Sequence, residues 1–322
     1  MFKYPIGIQL FNRPQYARRV LQSIYKQSRA IDEELLTIYI DGFADSIYQM
    51  RNAVDFTAEV EAIAREIFPN SEIRRFQKNC GIADLHNRLQ GAVFAKTDEW
   101  AVFFEEDVVL DSSYLVELEE LIEISKDFHS IVKLGCFQII DSLSDLPRGF
   151  NGFYPGTGTK AFAERKIFYN LKQEVVAKFL DISRITNDDC NNSVKCATLA
   201  GEGYFLPYFQ KDSLIENFMH FQNKFHVVTK PNLATDIGFE GIHNYTTAPL
   251  VVNQVDLSVN YSVVERIGQL EQSFDQIKAE SKEHIVQNYK NVLQGYHKSK
   301  SRKAMLRSIF QLSFRKKRSA IP

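Results

Sequence analysis

Three consecutive acids interrupt an apolar run in Trp100-Ala-Val-Phe-Phe-Glu105-Glu106-Asp107-Val-Val-Leu-Asp111. Five apolar or aromatic residues lead into the acids and apolar residues resume after them. That pattern fits the end of a buried strand better than the alternative, a solvated acidic turn. Acids at the carboxyl end of a strand in an open α/β sheet project into the crevice where such sheets bind ligands. Three adjacent carboxylates repel one another, and a positive charge has to offset them. A divalent cation holding a diphosphate would do so, because hard cations take oxygen ligands and bridge to phosphates.

Two other apolar runs end in polar residues with similar potential. The first ends in Gln9-Leu10-Phe11-Asn12-Arg13-Pro14, the second in Tyr39-Ile40-Asp41-Gly42. Strand ends of this kind line a nucleotide crevice in doubly wound folds. Asp41 is placed either to accept a hydrogen bond from a base or ribose, or simply to make an Asp-Gly turn. No GxGxxG follows the first strand and no GxxxxGK[ST] occurs, so dinucleotide-fingerprint and P-loop chemistry lose their main support. The four cysteines (Cys80, Cys136, Cys190 and Cys196) form no CxxC pair, and no His stands at zinc spacing, which argues against a structural zinc site.

The elements that must position these residues follow from periodicity. Residues 5–11 read as a buried strand and 15–30 as a helix, with Tyr16, Val20, Leu21 and Ile24 on one face. Strands at 35–40, 73–76 and 100–104 alternate with helices at 54–68 and 82–95, a turn at Asn79-Cys80-Gly81 preceding the latter. This alternation predicts an α/β layer with a mainly parallel sheet. Beyond it, the pattern predicts helices over 113–126, 164–182 and 212–224 and strands over 133–140 and 225–229. Residues 146–160 are rich in Gly and Pro, 187–193 and 230–249 read as loops, and 262–295 as a polar helical stretch. No repeat of 20–50 residues is present.

Taken together, these segments resemble a glycosyltransferase of the GT-A fold. Ile8-Gln9-Leu10-Phe11-Asn12-Arg13-Pro14-Gln15-Tyr16 is similar to that superfamily's "TYNRPEYLRRTLESL" start, and Asn79-Cys80-Gly81-Ile82, leading to Asn87, to its "N-x-G…N" helix. Glu105-Glu106-Asp107 stands where its DxD-type metal motif falls. The cluster resembles the "EDD" form of the N-acetylglucosaminyltransferases that open complex N-glycan branches. Phe153-Tyr154-Pro155-Gly156-Thr157-Gly158 is similar to the "FPGLG" segment of that family. Lys211-Asp212-Ser213, then Pro231-Asn232-Leu233-Ala234-Thr235-Asp236-Ile237-Gly238-Phe239 and His243, resemble the "WD…P-x-x-N-L-v-x-N-I-G-F…H" pattern of bacterial family-2-like members. The resemblance spans roughly residues 5–245. Lys211 replaces the usual Trp, and the metal motif is richer in acid than a plain DxD.

The resemblance implies a Rossmann-like GT-A domain over residues 1–260, its mixed, mainly parallel sheet flanked by helices, with a helical, basic extension over 261–322. It implies metal-dependent transfer of a hexosyl or N-acetylhexosaminyl group from a UDP-, GDP- or dTDP-sugar to a hydroxyl of a glycan or lipid-linked acceptor. Asp107 and His243 would hold Mn2+ or Mg2+, with Glu105 and Glu106 assisting. Phe11, Asn12, Arg13, Asp41 and Gly81 would line the nucleotide pocket, and Gly156 and Gly158 would admit the donor or acceptor. Asp212 would deprotonate the acceptor hydroxyl, giving inversion, with Glu202 and the Asp188-Asp189 pair as reserve candidates. Read alone, Asp212 is equally an N-terminal helix acid, His243 a structural hydrogen-bonder, and the two glycines turn residues.

Charge is unevenly distributed. The 322 residues carry a net charge of −1, yet ten of the 39 Lys and Arg, and none of the 40 Asp and Glu, lie between His284 and Pro322. The rest of the chain is therefore at −11. Met305, Leu306, Ile309, Phe310 and Leu312 would share one side of a helix edged by Arg302, Lys303 and Arg307, an arrangement suited to an anionic membrane surface. The acidic body argues against nucleic acid as a partner. With no signal-peptide layout and no apolar run near 20 residues, the expectation is a cytoplasmic protein, peripheral at the inner face of the inner membrane and working in lipopolysaccharide or capsule synthesis. A non-catalytic domain binding nucleotide sugar or glycan is the alternative.

Overall fold

The structure is a computed structural model. It describes residues 1–50, 52–136, 153–155, 160–183, 195, 199, 211–222, 224–229 and 233–238. The helical stretch over 262–295, the basic tail, Gly156, Gly158, Asp188, Asp189, Glu202 and His243 lie outside the described residues.

The chain builds β1 (Ile6–Leu10), α1 (Pro14–Tyr25), β2 (Leu36–Ile40), α2 (Ile47–Met50), α3 (Thr57–Ile67), β3 (Glu72–Arg75), α4 (Ile82–Phe94), β4 (Trp100–Phe104) and β5 (Val108–Leu110). There follow α5 (Tyr114–Ser125), β6 (Ile131–Gly135), β7 (Phe153–Pro155), β8 (Ala161–Arg165), α6 (Lys166–Ser183), α7 (Lys211–Phe221), β9 (Phe225–Thr229) and β10 (Ala234–Asp236). Two units are distinguished, Met1–Asn170 with Phe225–Gln272 and Leu171–Lys224 with Ser273–Pro322. The first contains every strand of the described residues. The second contains most of α6 and all of α7, which buries Leu214, Ile215 and Met219.

Eight strands among the described residues form one sheet in the order β3-β2-β1-β4-β8-β6-β9-β7. The first four are mutually parallel, as the strand–helix alternation predicts. β8 enters antiparallel between β4 and β6, and β6 pairs parallel with β9. The sheet is therefore α/β, mixed and mainly parallel. β5 and β10 form a separate antiparallel pair.

All five residues of β1, β2 and β4 are buried, the signature of a parallel sheet covered on both faces. α4 supplies one cover: Leu85, Leu89, Val93 and Phe94 pack with Tyr39, Ala101, Phe103 and Phe162. The approach is close at Gly7, where a Cβ would stand 2.9 Å from Val93 Cγ2. α1 packs against α3, using Ala17, Val20, Leu21 and Ile24 at helical spacing. Pro14 begins α1, where a missing N–H costs nothing.

The structure departs from the sequence reading at the short helix α2 and at several strands. β8 occupies residues 161–163, given no element, and the start of the helix expected over 164–182; β10 lies inside the segment read as a loop over 230–249, β7 inside the Gly- and Pro-rich stretch over 146–160, and β5 was not anticipated. β8 escapes detection because it carries Glu164 and Arg165, both buried. Gln90 Nε2 donates to Glu164 Oε1 at 3.2 Å, and Arg165 donates to the carbonyls of Ser125 and Lys126 and lies over the Trp100 ring. Charged residues satisfied this way leave no alternating pattern in the sequence.

Candidate functional site

The strand order reverses between β1 and β4, since β2 and β3 lie to one side of β1 and β4 to the other. Ligands of open α/β sheets bind outside the carboxyl ends at such a switch point. Phe11-Asn12-Arg13 leaves β1 there and Glu105-Glu106-Asp107 leaves β4.

Arg13 joins the two ends. Its Nε donates to Glu106 Oε1 at 2.7 Å, and its NH2 group lies 2.7 Å from the same oxygen and 3.4 Å from Asp107 Oδ2. The Phe11 N–H donates to Glu106 Oε2 at 2.7 Å. Glu106 is thus engaged through both oxygens. Burial pushes its carboxyl up, against the opposing pull of Arg13 and the Phe11 N–H. For Arg13, burial works against the charge, but Glu106 and Asp107 outweigh it and the guanidinium stays firmly protonated.

Asp107 has a second cationic neighbour. Lys160, just before β8, places Nζ 3.1 Å from Asp107 Oδ2 and 2.7 Å from Asp236 Oδ2. Burial disfavours the ammonium, yet Asp107, Asp236 and Glu105 together raise its pKa. Asp236, the last residue of β10, is brought here by the β5–β10 pair, in which it stands opposite Val108. The Ile237 N–H donates to the Asp107 carbonyl at 2.8 Å, and the Gly238 N–H to Asp236 Oδ1 at 2.8 Å. Gly238 lets the chain pass, because a Cβ there would stand 2.4 Å from Asp107 Oδ2.

One atom of this cluster is left over. Asp107 Oδ1 is buried and has no hydrogen-bond partner among the described residues. A buried carboxylate oxygen without a donor is costly and marks a place for a cation or a donor. No three His, Cys, Asp or Glu converge on one point among the described residues. Among the described residues a divalent ion here would therefore take one oxygen, with water and phosphate supplying further ligands, which is how Mg2+ is commonly held. The residues fit such an ion on those terms. The offsetting positive charge that the acids require is already partly present in Arg13 and Lys160, which sequence reading did not foresee.

The other expected residues are distributed as follows. Asn12 Nδ2 donates to the Val54 carbonyl at 2.8 Å and its Oδ1 accepts from the Phe56 N–H, so the side chain pins the segment before α3. The Phe11 ring meets Tyr48 edge-on, with ring centroids 5.2 Å apart. Asp41 Oδ1 accepts from the Gly42 and Cys80 N–H groups at 2.8 and 2.7 Å, and its Oδ2 from Asn79 Nδ2 and the Gly81 N–H at 3.0 and 3.1 Å. A carboxylate offers about four acceptor positions, so Asp41 is fully used in holding the 79–81 turn. Burial nevertheless raises its pKa against those bonds. Gly81, at φ +77°, fills the left-handed position that turn needs before α4. Glu105 donates its N–H to the Lys160 carbonyl at 2.9 Å, tying β4 to the segment before β8. Asp212 stands in the first turn of α7 in the second unit, its Oδ1 3.6 Å from Lys211 Nζ.

Lys160 and Asp236 are the site residues that sequence reading missed. Asp236 lay within a recognised segment without a role. Lys160 gave no signal at all, being one cation at the end of a Gly- and Pro-rich stretch.

Fold and site together define a mixed α/β protein with a charged cluster at the switch point of a mainly parallel sheet. No family model and no curated protein matches the chain. Among solved structures, TarS residues 1–349 from S. aureus match with 12% identity and a TM-score of 0.38, over 71% of this chain and 58% of that one. The same TarS chain in complex with UDP-GlcNAc matches with 11% identity and a TM-score of 0.37, over 70% and 56%. The mannosyltransferase PcManGT from Pyrobaculum calidifontis, in complex with GDP-Man and Mn2+, matches with 12% identity and a TM-score of 0.37, over 68% of this chain and 70% of that one. The chain thus spans little more than half of TarS 1–349.

Proposed function

We propose that the protein is a glycosyltransferase that moves a sugar from a nucleoside-diphosphate donor to a hydroxyl of a glycan or lipid-linked acceptor. The observation that carries this reading is the meeting of four segments at one switch point. They are the Asn12-Arg13 strand end, the Glu105–Asp107 acids, the Lys160 segment and the Thr235–Gly238 segment. Each belongs to, or directly follows, a motif resembling one of the GT-A fold, although they are up to about 220 residues apart in sequence.

In this reading the bond from the anomeric carbon to the phosphate oxygen breaks, a bond to the acceptor oxygen forms, and the acceptor proton passes to a carboxylate. Arg13 fixes Glu106 and one oxygen of Asp107, so the Asp107 carboxylate is held in one orientation without reorganising during transfer. Mn2+ or Mg2+ on Asp107, with His243 contributing, would supply Lewis-acid neutralisation of the departing diphosphate. Asn12 and Phe11 shape the nucleotide side of the crevice through the Val54–Phe56 segment and Tyr48, and Asp41 acts on Gly81 and α4 rather than on the ligand. Gly156 and Gly158 serve donor or acceptor approach. Asp212 is the base, which must reach the acceptor hydroxyl at roughly 2.6–3.2 Å. The basic segment 300–322 holds the protein at an anionic membrane where a lipid-linked acceptor resides, with bacterial surface polysaccharide as the setting.

The test is a thermal-shift series with UDP, GDP and dTDP, followed by donor hydrolysis and transfer. One diphosphate should raise Tm, since a ligand that binds only the native state stabilises it. Asp212→Asn should abolish transfer and leave that shift intact. Absence of a shift with all three, with and without Mn2+, sinks the reading. A shift with turnover indifferent to Asp212→Asn moves the base elsewhere.

A further inference from the structure

Lys160 has no part in the roles above, yet it is the residue through which the two acids of the cluster meet. Its Nζ bridges Asp107 Oδ2 and Asp236 Oδ2 at 3.1 and 2.7 Å, and its side chain is 16% exposed. Arg13 NH2 approaches the same Asp107 oxygen at 3.4 Å. Both cations therefore crowd Oδ2 and leave Oδ1 buried and unpartnered among the described residues. A divalent ion arriving at Oδ1 would meet a carboxylate whose other oxygen already faces two positive charges.

We propose that Lys160 is the resident counter-ion of the Asp107–Asp236 pair and a competitor of the divalent cation at Asp107. The ammonium, 3.1 Å from Asp107 Oδ2 and 2.7 Å from Asp236 Oδ2, offsets the repulsion between the paired carboxylates when no metal is present. It also weakens the grip of Asp107 on a free ion through like-charge repulsion at short range. Metal is then retained well only when phosphate oxygens add further ligands, so ion and nucleoside diphosphate bind with positive coupling. By linkage, each must strengthen the other by the same factor. The coupling with nucleotide rests on the transferase reading; the competition at Asp107 stands on the cluster alone.

Two substitutions should act in opposite directions. Lys160→Met removes the competitor and should tighten binding of Mn2+ alone at least tenfold, measured by titration calorimetry or by electron paramagnetic resonance of free Mn2+. Asp236→Asn leaves Lys160 to Asp107 alone and should weaken it. Lys160→Arg keeps the charge and should stay near the parent chain. In the parent chain, UDP or GDP should tighten Mn2+ at least tenfold, and in Lys160→Met that coupling should shrink. Circular dichroism and Tm identify a variant that has not folded. If Lys160→Met does not fold, the opposite-sign pair becomes Asp236→Asn against Lys160→Gln. Overturning results are Mn2+ affinity unchanged or weakened on loss of the Lys160 charge, or no Mn2+ binding by any variant. If no nucleotide binds with or without Mn2+ while the opposite-sign response to Mn2+ alone holds, the transferase reading and the coupling fail, and the competition at Asp107 survives.

Discussion

Asp41 shows how a residue type can suggest one task and its surroundings supply a second. In sequence it is a polar residue at a strand end, suited to a ribose or a base. In the structure it accepts four hydrogen bonds, three of them from backbone N–H groups of Gly42, Cys80 and Gly81. Two of those donors, Cys80 and Gly81, lie at the N-terminal approach to α4, where N–H groups lack intrahelical partners. Removing the acceptor strands several of them, at roughly 1–3 kcal/mol for each buried unsatisfied group. Asp41→Ala should therefore lower stability by about 2–4 kcal/mol in urea unfolding, with nucleotide affinity falling only as the turn loosens. A variant that keeps its stability and loses nucleotide binding would return Asp41 to the ligand. The neighbouring Gly42 is equally constrained, since a Cβ there would stand 2.3 Å from the Lys78 carbonyl carbon.

At the scale of elements, the parallel half of the sheet was readable and the antiparallel insertions were not. β1, β2 and β4 are runs of five buried residues next to amphipathic helices, a pattern with few alternatives. β8 is held by β4 and β6 on its two sides, and β10 by β5, so their extended form depends on partners far off in the chain. One contact between distant elements makes a clear prediction. Glu123 near the end of α5 accepts from the Tyr4 hydroxyl at 2.6 Å and pairs with Lys3 at 2.5 Å and Lys126 at 2.8 Å. Hydrogen bonds from Lys126, Lys3 and Tyr4 hold its carboxyl down from 4.5 to about 2. A depressed acid adds stability above its unfolded value, and that stability disappears as pH falls from about 4.5 towards about 2. The group is largely exposed and screened, so its contribution is about 0.2–1 kcal/mol. The difference in urea midpoint between the parent chain and Glu123→Gln should be present at pH 7, shrink towards pH 3, and be smaller in 1 M salt than in low salt. A difference that persists unchanged at pH 3 would place the effect in packing instead.

On the scale of the whole molecule, the −11 body and the cationic final segment call for different partners. Among the described residues no helix is long and apolar enough to cross a membrane. Membrane attachment, in the proposed function, falls to residues 300–322. Basic side chains near an anionic surface contribute roughly 1 kcal/mol each, so the eight Lys and Arg of that segment are ample for salt-sensitive binding. Deleting residues 300–322 should abolish co-sedimentation with vesicles containing anionic lipid and leave the nucleoside-diphosphate thermal shift unchanged. Retained sedimentation would assign membrane binding to the acidic body, and loss of the shift would make the tail part of the site.

What the sequence determined by itself is the local order: apolar runs, their helical or extended period, and acids and an arginine at strand ends. These are set by nearest neighbours and by the need to bury apolar faces, so they can be read along the chain. What only the tertiary structure decided is which charges meet. Arg13 with Glu106 and Asp107, and Lys160 between Asp107 and Asp236, join residues separated by 93, 94, 53 and 76 positions. An ion pair requires only that two groups come within a few ångströms, and no periodicity in either partner announces it. The sequence thus indicated that the acids needed a counter-charge, and the fold supplied two of its own.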